Sequence, residues 1–405
     1  MRVLIFMSGG FDTYGPSRHL YNALIEDLLT QGHIVHLIEN HSTGTDPDAP
    51  DNLLLFNNFS YEIVKSKPVE KKAFVKRYLT GVKYCIDCIP VLKKQKGYDV
   101  MLVQSCPWAP FALSIVKKYV NIPTVWNIQD MFPGASIANG VMKKKWMQKI
   151  FFRFHKIAYK KADHISVISE DMKQKVIEQG VPSDRITVVP DWYDDKSVKE
   201  IPWEDNLFVK KYNMSRDVFY VQYAGTMGFN FDYRMVIKVA QILRNENDIV
   251  FQMIGFGSQK DDFMAAAKEA NLNNIVFLPL EPQYMVPHVY SACSVCLIPL
   301  PHGVIGNSVP SKAGLLMACH RVIVNSVDED SDYFKMFERE KLGISASNKD
   351  PVAVANAILK IRNNNEIREL YADNAKNFSK GFYSRAVNTK KHIEILEKVA
   401  FLSKY

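Results

Sequence analysis

The chain has 405 residues, 47% of them hydrophobic and 23% charged, with a formal net charge of +8. That length exceeds what one ordinary core fills and implies about two domains of roughly 150 to 200 residues each. The composition excludes collagen-like, coiled-coil, low-complexity and disordered classes, and no repeat period stands out. No apolar stretch reaches the roughly 20 residues that span a bilayer.

Residues 1–7 form a short apolar run ended by Ser8-Gly9-Gly10, which reads as a first buried strand and not as a signal peptide, so the chain is expected in the cytoplasm. After a loop through Gly15-Pro16 comes a helix from about 17 to 30, closed by Gly32, and a second strand over 34–38. Strands at 100–103, 124–128, 165–168 and 186–189 follow, each separated by a helical pattern. Near-continuous apolar strands alternating with helices predict an α/β fold whose parallel sheet is covered on both faces. Pro190-Asp191-Trp192-Tyr193-Asp194-Asp195 breaks the pattern, and the polar segment to about Asn213 reads as an interdomain linker. A second series then runs through strands at 219–224, 249–254, 275–278, 295–300 and 321–324, and a last helix spans about 384–400.

Six cysteines include the pairs Cys85/Cys88 and Cys293/Cys296. A zinc site needs both pairs on tight knuckles, yet one pair lies on a helical turn and Cys296 in a strand, so buried reduced thiols are the better reading.

Ligands of open parallel sheets bind at the carboxyl ends of the strands. After the first strand, Gly9, Gly10 and Gly15-Pro16-Ser17-Arg18 let backbone approach a ligand, with Ser17 placed to cap the helix. After the strand at 124–128, Gln129-Asp130-Met131-Phe132-Pro133 puts a carboxylate at a strand end, where it can take a proton from a hydroxyl or merely cap a helix. Tyr223-Ala224-Gly225-Thr226-Met227-Gly228 ends a strand of the second series, and Gly255-Phe256-Gly257 ends the next. The latter fails as a dinucleotide fingerprint, because Lys260 stands where the third glycine belongs. Residues 303–312, Gly-Val-Ile-Gly-Asn-Ser-Val-Pro-Ser-Lys, join a strand to a helix whose first turn carries Ser311 and Lys312. Free N–H groups, the positive helix end and an ammonium converge there as an anion-binding corner.

Between Met131 and Ala162 there is no acid, while Lys143, Lys144, Lys145, Lys149, Arg153, Lys156, Lys160 and Lys161 crowd one helical stretch. Trp146, Ile150, Phe154 and Ile157 share a stripe that by itself reads as a core face. The concentration of charge points instead to an anionic membrane surface. Nucleic acid is not expected, since no recognised binding module accompanies the charge.

Together these segments resemble the retaining family 4 glycosyltransferases, in particular the branch that builds bacterial capsule, O-antigen and colanic-acid repeat units, where a Pro-Ser-Lys opens the corresponding helix. The resemblance covers nearly the whole chain. It implies the GT-B architecture: two Rossmann-like, doubly wound parallel-sheet domains facing a cleft. Residues 1–194 would be the acceptor domain and 195–383 the nucleotide-sugar donor domain, with a C-terminal helix at about 384–405 packing back on the first. It further implies transfer from a nucleotide-sugar, a UDP-sugar, to a lipid-linked or saccharide acceptor at the inner face of the membrane, with retention and without metal or other cofactor.

In that frame Asp130 and Lys312 are the catalytic candidates. Gly15, Gly225, Thr226, Gly255, Phe277 and Leu278 fall on the donor side, as do Gly306, Asn307, Ser308 and Ser311. Gly10 and Arg18 fall on the acceptor side, and Lys149, Arg153 and Lys156 face the membrane. The chain also departs from the family. Thr226 and Asp232 replace an Arg and a Lys that hold the donor phosphates, Asn307 and Leu315 replace the two glutamates of the family signature, and His320 replaces a glycine. Those departures keep two other readings open, a noncatalytic sugar-nucleotide-binding subunit and a GT-B nucleotide-sugar epimerase.

Overall fold

The structure, a computed structural model, describes residues 1–8, 17–41, 51–65 and 74–402. The chain divides into two compact units, one of Met1–Ile137, Met142–Asp191 and Asn388–Tyr405, the other of Ala138–Val141 and Trp192–Val387.

The first unit is built on β1 (Arg2–Phe6), β2 (Ile34–His41), β3 (Phe59–Lys65), β4 (Val100–Gln104), β5 (Thr124–Ile128), β6 (His164–Val167) and β7 (Ile186–Val188). All seven are parallel, in the order β3-β2-β1-β4-β5-β6-β7. Ile5 pairs with Leu37 on one side and Leu102 on the other, all three buried. Strands enclosed on both faces read as unbroken apolar runs, which is why the central ones stand out in the sequence. β3 does not. It is an edge strand, half-buried along Phe59-Ser60-Tyr61-Glu62-Ile63-Val64-Lys65, so its polar residues dilute the signal. From Asn388 the helix Arg385–Leu402 belongs to this unit, and Glu397 lies 3.6 Å from His33.

The second unit carries β8 (Phe219–Ala224), β9 (Ile249–Ile254), β10 (Ile275–Leu278), β11 (Val295–Pro299), β12 (Ile323–Val327) and β13 (Gly343–Ser347). They are again parallel, in the order β10-β9-β8-β11-β12-β13. Phe219, Val221 and Tyr223 point into one apolar core and Tyr220 and Ala224 into the other, the period-2 alternation of a sheet with two covered faces. β13, Gly343-Ile344-Ser345-Ala346-Ser347, is a second edge strand that small and polar residues hide from a sequence reading.

The segment read as a linker is not one. Phe208 is fully buried in the second unit and stacks obliquely on Tyr212 with ring centroids 4.7 Å apart, and the Tyr193 N–H donates to Tyr383 O at 3.0 Å. Both sheets reverse their strand order beside the strand that opens them, between β1 and β4 and between β8 and β11. Those switch points are where a ligand finds a crevice.

Candidate active site

In the second unit the switch point is held by Lys312. Its Nζ lies 3.1 Å from Ala224 O at the end of β8 and 3.8 Å from the centroid of the Tyr223 ring. Among the described residues no carboxylate pairs with it. Burial strips water from the ammonium and pulls its pKa down to about 7. Gly225 makes room for this contact. Its φ is +148°, and a Cβ there would sit 2.5 Å from Lys312 Nζ. A cation above an aromatic face with no carboxylate beside it, at a strand switch, has the chemistry to receive an anion.

The helix beside it starts later than the sequence suggests. It runs Ala313–Ala318, so Ser311 and Lys312 precede its first turn, and Ser311 is exposed. With only six residues, this helix adds little dipole, and the side chain of Lys312 supplies the local charge. The loop before it is folded on itself. The Asn307 amide donates to Gly303 O at 2.8 Å, the N–H groups of Asn307 and Ser308 donate to Val304 O at 3.0 and 3.1 Å, and Gly306 is buried at φ +82°. Asp328, just past β12, pins the loop: its carboxylate accepts from the Gly303 N–H at 2.9 Å, from Asn348 Nδ2 at 3.1 Å and from His302 Nδ1. No motif marked Asp328 in advance. Leu315 is half-buried against the apolar core, and His320 adopts φ +59°, the left-handed conformation that suits a glycine at a helix end. The imidazole nitrogens of His320 meet Glu200 at 3.0 Å and Asp373 at 2.8 Å, contacts that hold a side chain in a strained place.

At the neighbouring strand ends the backbones nearly touch. A Cβ on Gly255 would lie 2.1 Å from Gly225 O, and one on Gly257 2.3 Å from Met227 O. The glycines of this turn are therefore required by the sheet itself. Lys260 Nζ donates to Gly255 O at 2.8 Å. Thr226 is exposed, and its carbonyl accepts from Tyr223 OH at 2.7 Å. Phe277 turns to the core, edge-on to Phe263 at 4.9 Å, and Leu278 O accepts from the Gly255 N–H at 3.2 Å.

In the first unit Gly10 and Gly15 lie outside the described residues. Ser17 does not cap its helix, Arg18–Thr30. Its hydroxyl donates to Gln129 Oε1 at 2.9 Å, and Gln129 Nε2 donates to Asp191 Oδ1 at 3.1 Å. Arg18, half-buried, opens that helix. Asp130 is exposed, while Asp191, which the sequence offered only as part of a break, is half-buried. Burial pushes the Asp191 carboxyl up to about 6; the Gln129 hydrogen bond opposes this and the Asp130 charge adds to it. The carboxylates therefore divide into an exposed one and a second that titrates near neutrality.

The basic helix is Lys145–Lys161. Its buried side is His155, Ala158 and Tyr159, with Phe151 edge-on to Tyr78 at 4.9 Å and to Phe132 at 5.2 Å. The stripe read as a core face is thus turned outward: Trp146 is 61% exposed, and Ile150, Phe154 and Ile157 are exposed beside Lys149, Arg153 and Lys156. Among the described residues no helix is long and apolar enough to cross a membrane.

Comparison with known proteins agrees with this arrangement. The model of "Glycosyltransferase Family 4" matches residues 15–197, and that of "Glycosyl transferases group 1" matches residues 219–364. A probable glycosyltransferase, WbjE of Pseudomonas aeruginosa, is 26% identical over 64% of this chain and 62% of its own length. A putative colanic acid biosynthesis glycosyl transferase, WcaI of Escherichia coli K12, is 24% identical over 51% of each. The matched stretch thus spans between half and two thirds of these relatives. The crystal structure of Anabaena Alr3699/HepE in complex with UDP superposes with a TM-score of 0.71 at 14% identity, covering 98% of this chain and all of that one, a likeness of fold.

Proposed function

The chain belongs to the glycosyltransferases of family 4 and group 1, and on that premise we propose that it moves a sugar from a nucleotide-sugar donor, a UDP-sugar, to a lipid-linked or saccharide acceptor in bacterial surface polysaccharide assembly. The observation that carries this reading is the unpaired Lys312 ammonium at the switch point of the second sheet. A departing nucleoside diphosphate gathers negative charge as the sugar leaves, and a fixed cation in a desolvated place stabilises that charge more than the ground state. The reaction retains anomeric configuration and uses no metal. Asp130, exposed at the end of β5, binds or deprotonates the acceptor hydroxyl. Incubation with labelled UDP-sugars and a polyprenyl-diphosphate-linked saccharide tests this: transfer with release of UDP supports it, binding without turnover favours a noncatalytic subunit, and an isomerised donor favours an epimerase.

The acceptor places the protein at a membrane. Trp146, Ile150, Phe154 and Ile157 offer an apolar strip to the interface, while Lys149, Arg153 and Lys156 meet anionic headgroups, each worth about 1 kcal/mol near the surface. Cosedimentation with phosphatidylglycerol vesicles, but not with phosphatidylcholine ones, is the expected result. Equal binding to both, or to neither, removes this part of the reading.

A further inference from the structure

A nucleotide held at Lys312 by its phosphates has two directions in which to lie along the carboxyl ends of the second sheet, over β9 and β10 or over β12 and β13. On the second side the protein's own loop is anchored. Asp328 at the end of β12 draws in the loop through its contacts with His302 and the Gly303 N–H, and the Asn307 amide closes that loop on Gly303. The first direction offers an aromatic ring. Phe256 follows β9, one strand or about 5 Å from β8, and is 51% exposed.

This ring has a rigid base. The flanking Gly255 and Gly257 have φ of +135° and +155° and lie against the backbone of Gly225 and Met227. Phe256 O accepts from the Met227 N–H at 2.8 Å, the Gln259 N–H donates to Met227 O at 3.0 Å, and Gln259 Nε2 donates to Gly228 O at 2.8 Å. The turn after β9 is therefore fastened to the turn after β8, the one that begins at the Lys312 contact. A phenyl ring held half in water on a fixed turn, beside an anion receptor, suits a flat π-system joined to phosphates.

Resting on the nucleotide-sugar reading, we propose that Phe256 is the stacking surface for the nucleobase of the donor, so that the ring sets affinity for the nucleoside and Lys312 sets affinity for the phosphates.

Calorimetric titration of UDP and of inorganic pyrophosphate into the full chain and two variants tests the assignment. Phe256→Ala is expected to weaken UDP on the order of 10-fold, the scale of losing one base–aromatic stack, with pyrophosphate binding and melting temperature unchanged. Phe256→Trp is expected to keep UDP binding and to add a fluorescence signal that UDP quenches. A wild-type chain that binds UDP beside a Phe256→Ala variant of equal affinity overturns the assignment alone, as does an equal loss of UDP and pyrophosphate. A wild-type chain that binds none of UDP, GDP and ADP overturns the donor reading and this assignment with it.

Discussion

Lys312 crosses from the start of its helix to the end of β8 and sets its Nζ 3.8 Å from the centre of the Tyr223 ring. The cation is fixed by a π face and a backbone carbonyl, neither of which neutralises it. Lys312→Ala should therefore lower transfer by roughly 100-fold or more, the scale of removing one preorganised transition-state donor. Steady-state rates with a saturating UDP-sugar measure this, and near-normal turnover removes the role.

The same residue predicts proton-linked binding. With the site empty, burial holds the Lys312 amine near 7, below the ordinary lysine value, so above that pH it is mostly neutral. A bound diphosphate favours the charged form, so UDP binding should take up close to one proton at pH 8 and none at pH 6. Affinity should fall by about tenfold per pH unit above 8, a slope that Lys312→Arg abolishes. Titration in buffers of different ionisation enthalpy counts the protons, and zero uptake at pH 8 contradicts the prediction.

Asp130 and the donor residues lie in separate units, and the variants should separate too. Asp130→Asn should leave UDP affinity intact and depress transfer on the order of 100-fold, as loss of a general base does. Parallel loss of both would instead mark Asp130 as structural.

How far these residues could be read in advance followed from what their signals depend on. Gly225, Gly255 and Lys312 lie beside strands buried on both faces, whose apolar runs locate the strand ends and hence the site. Ser17 was legible as a residue at a helix start, but its bond to Gln129 depends on β5 lying near that helix, which no local pattern encodes. Asp191 and Asp328 were invisible for the same reason: each earns its role from partners 62 and 25 positions away. The stripe from Trp146 to Ile157 misled because helical periodicity shows that a face is apolar and not whether anything covers it.

Asp191 gives a stability test with a defined sign. Its native carboxyl titrates near 6, above the unfolded value of 3.8, so its favourable contribution is complete below about pH 3.8 and is lost as pH rises through 6. Asp191→Asn removes that loss while keeping an oxygen for Gln129 Nε2. The variant should melt above the wild type at pH 7 and alongside it at pH 4. A gap that stays constant from pH 4 to 7 would show that Asp191 does not titrate in this window.

Gly225 ties the fold to the chemistry. A methyl group there would meet Lys312 Nζ at 2.5 Å, and φ of +148° disfavours any side chain. Because the obstructed atom is the tip of a flexible chain, Gly225→Ala should cost only about 1 to 3 kcal/mol of stability, from the backbone conformation. Its effect on the site should be larger, since the ammonium must leave both Ala224 O and the Tyr223 ring. UDP affinity in Gly225→Ala should then fall about as far as in Lys312→Ala, and the double variant should bind no more weakly than either single one. That non-additivity is what a double-mutant cycle reads for two residues acting through one contact. Additive losses would mean that Gly225 shapes the donor site by a route that does not pass through Lys312.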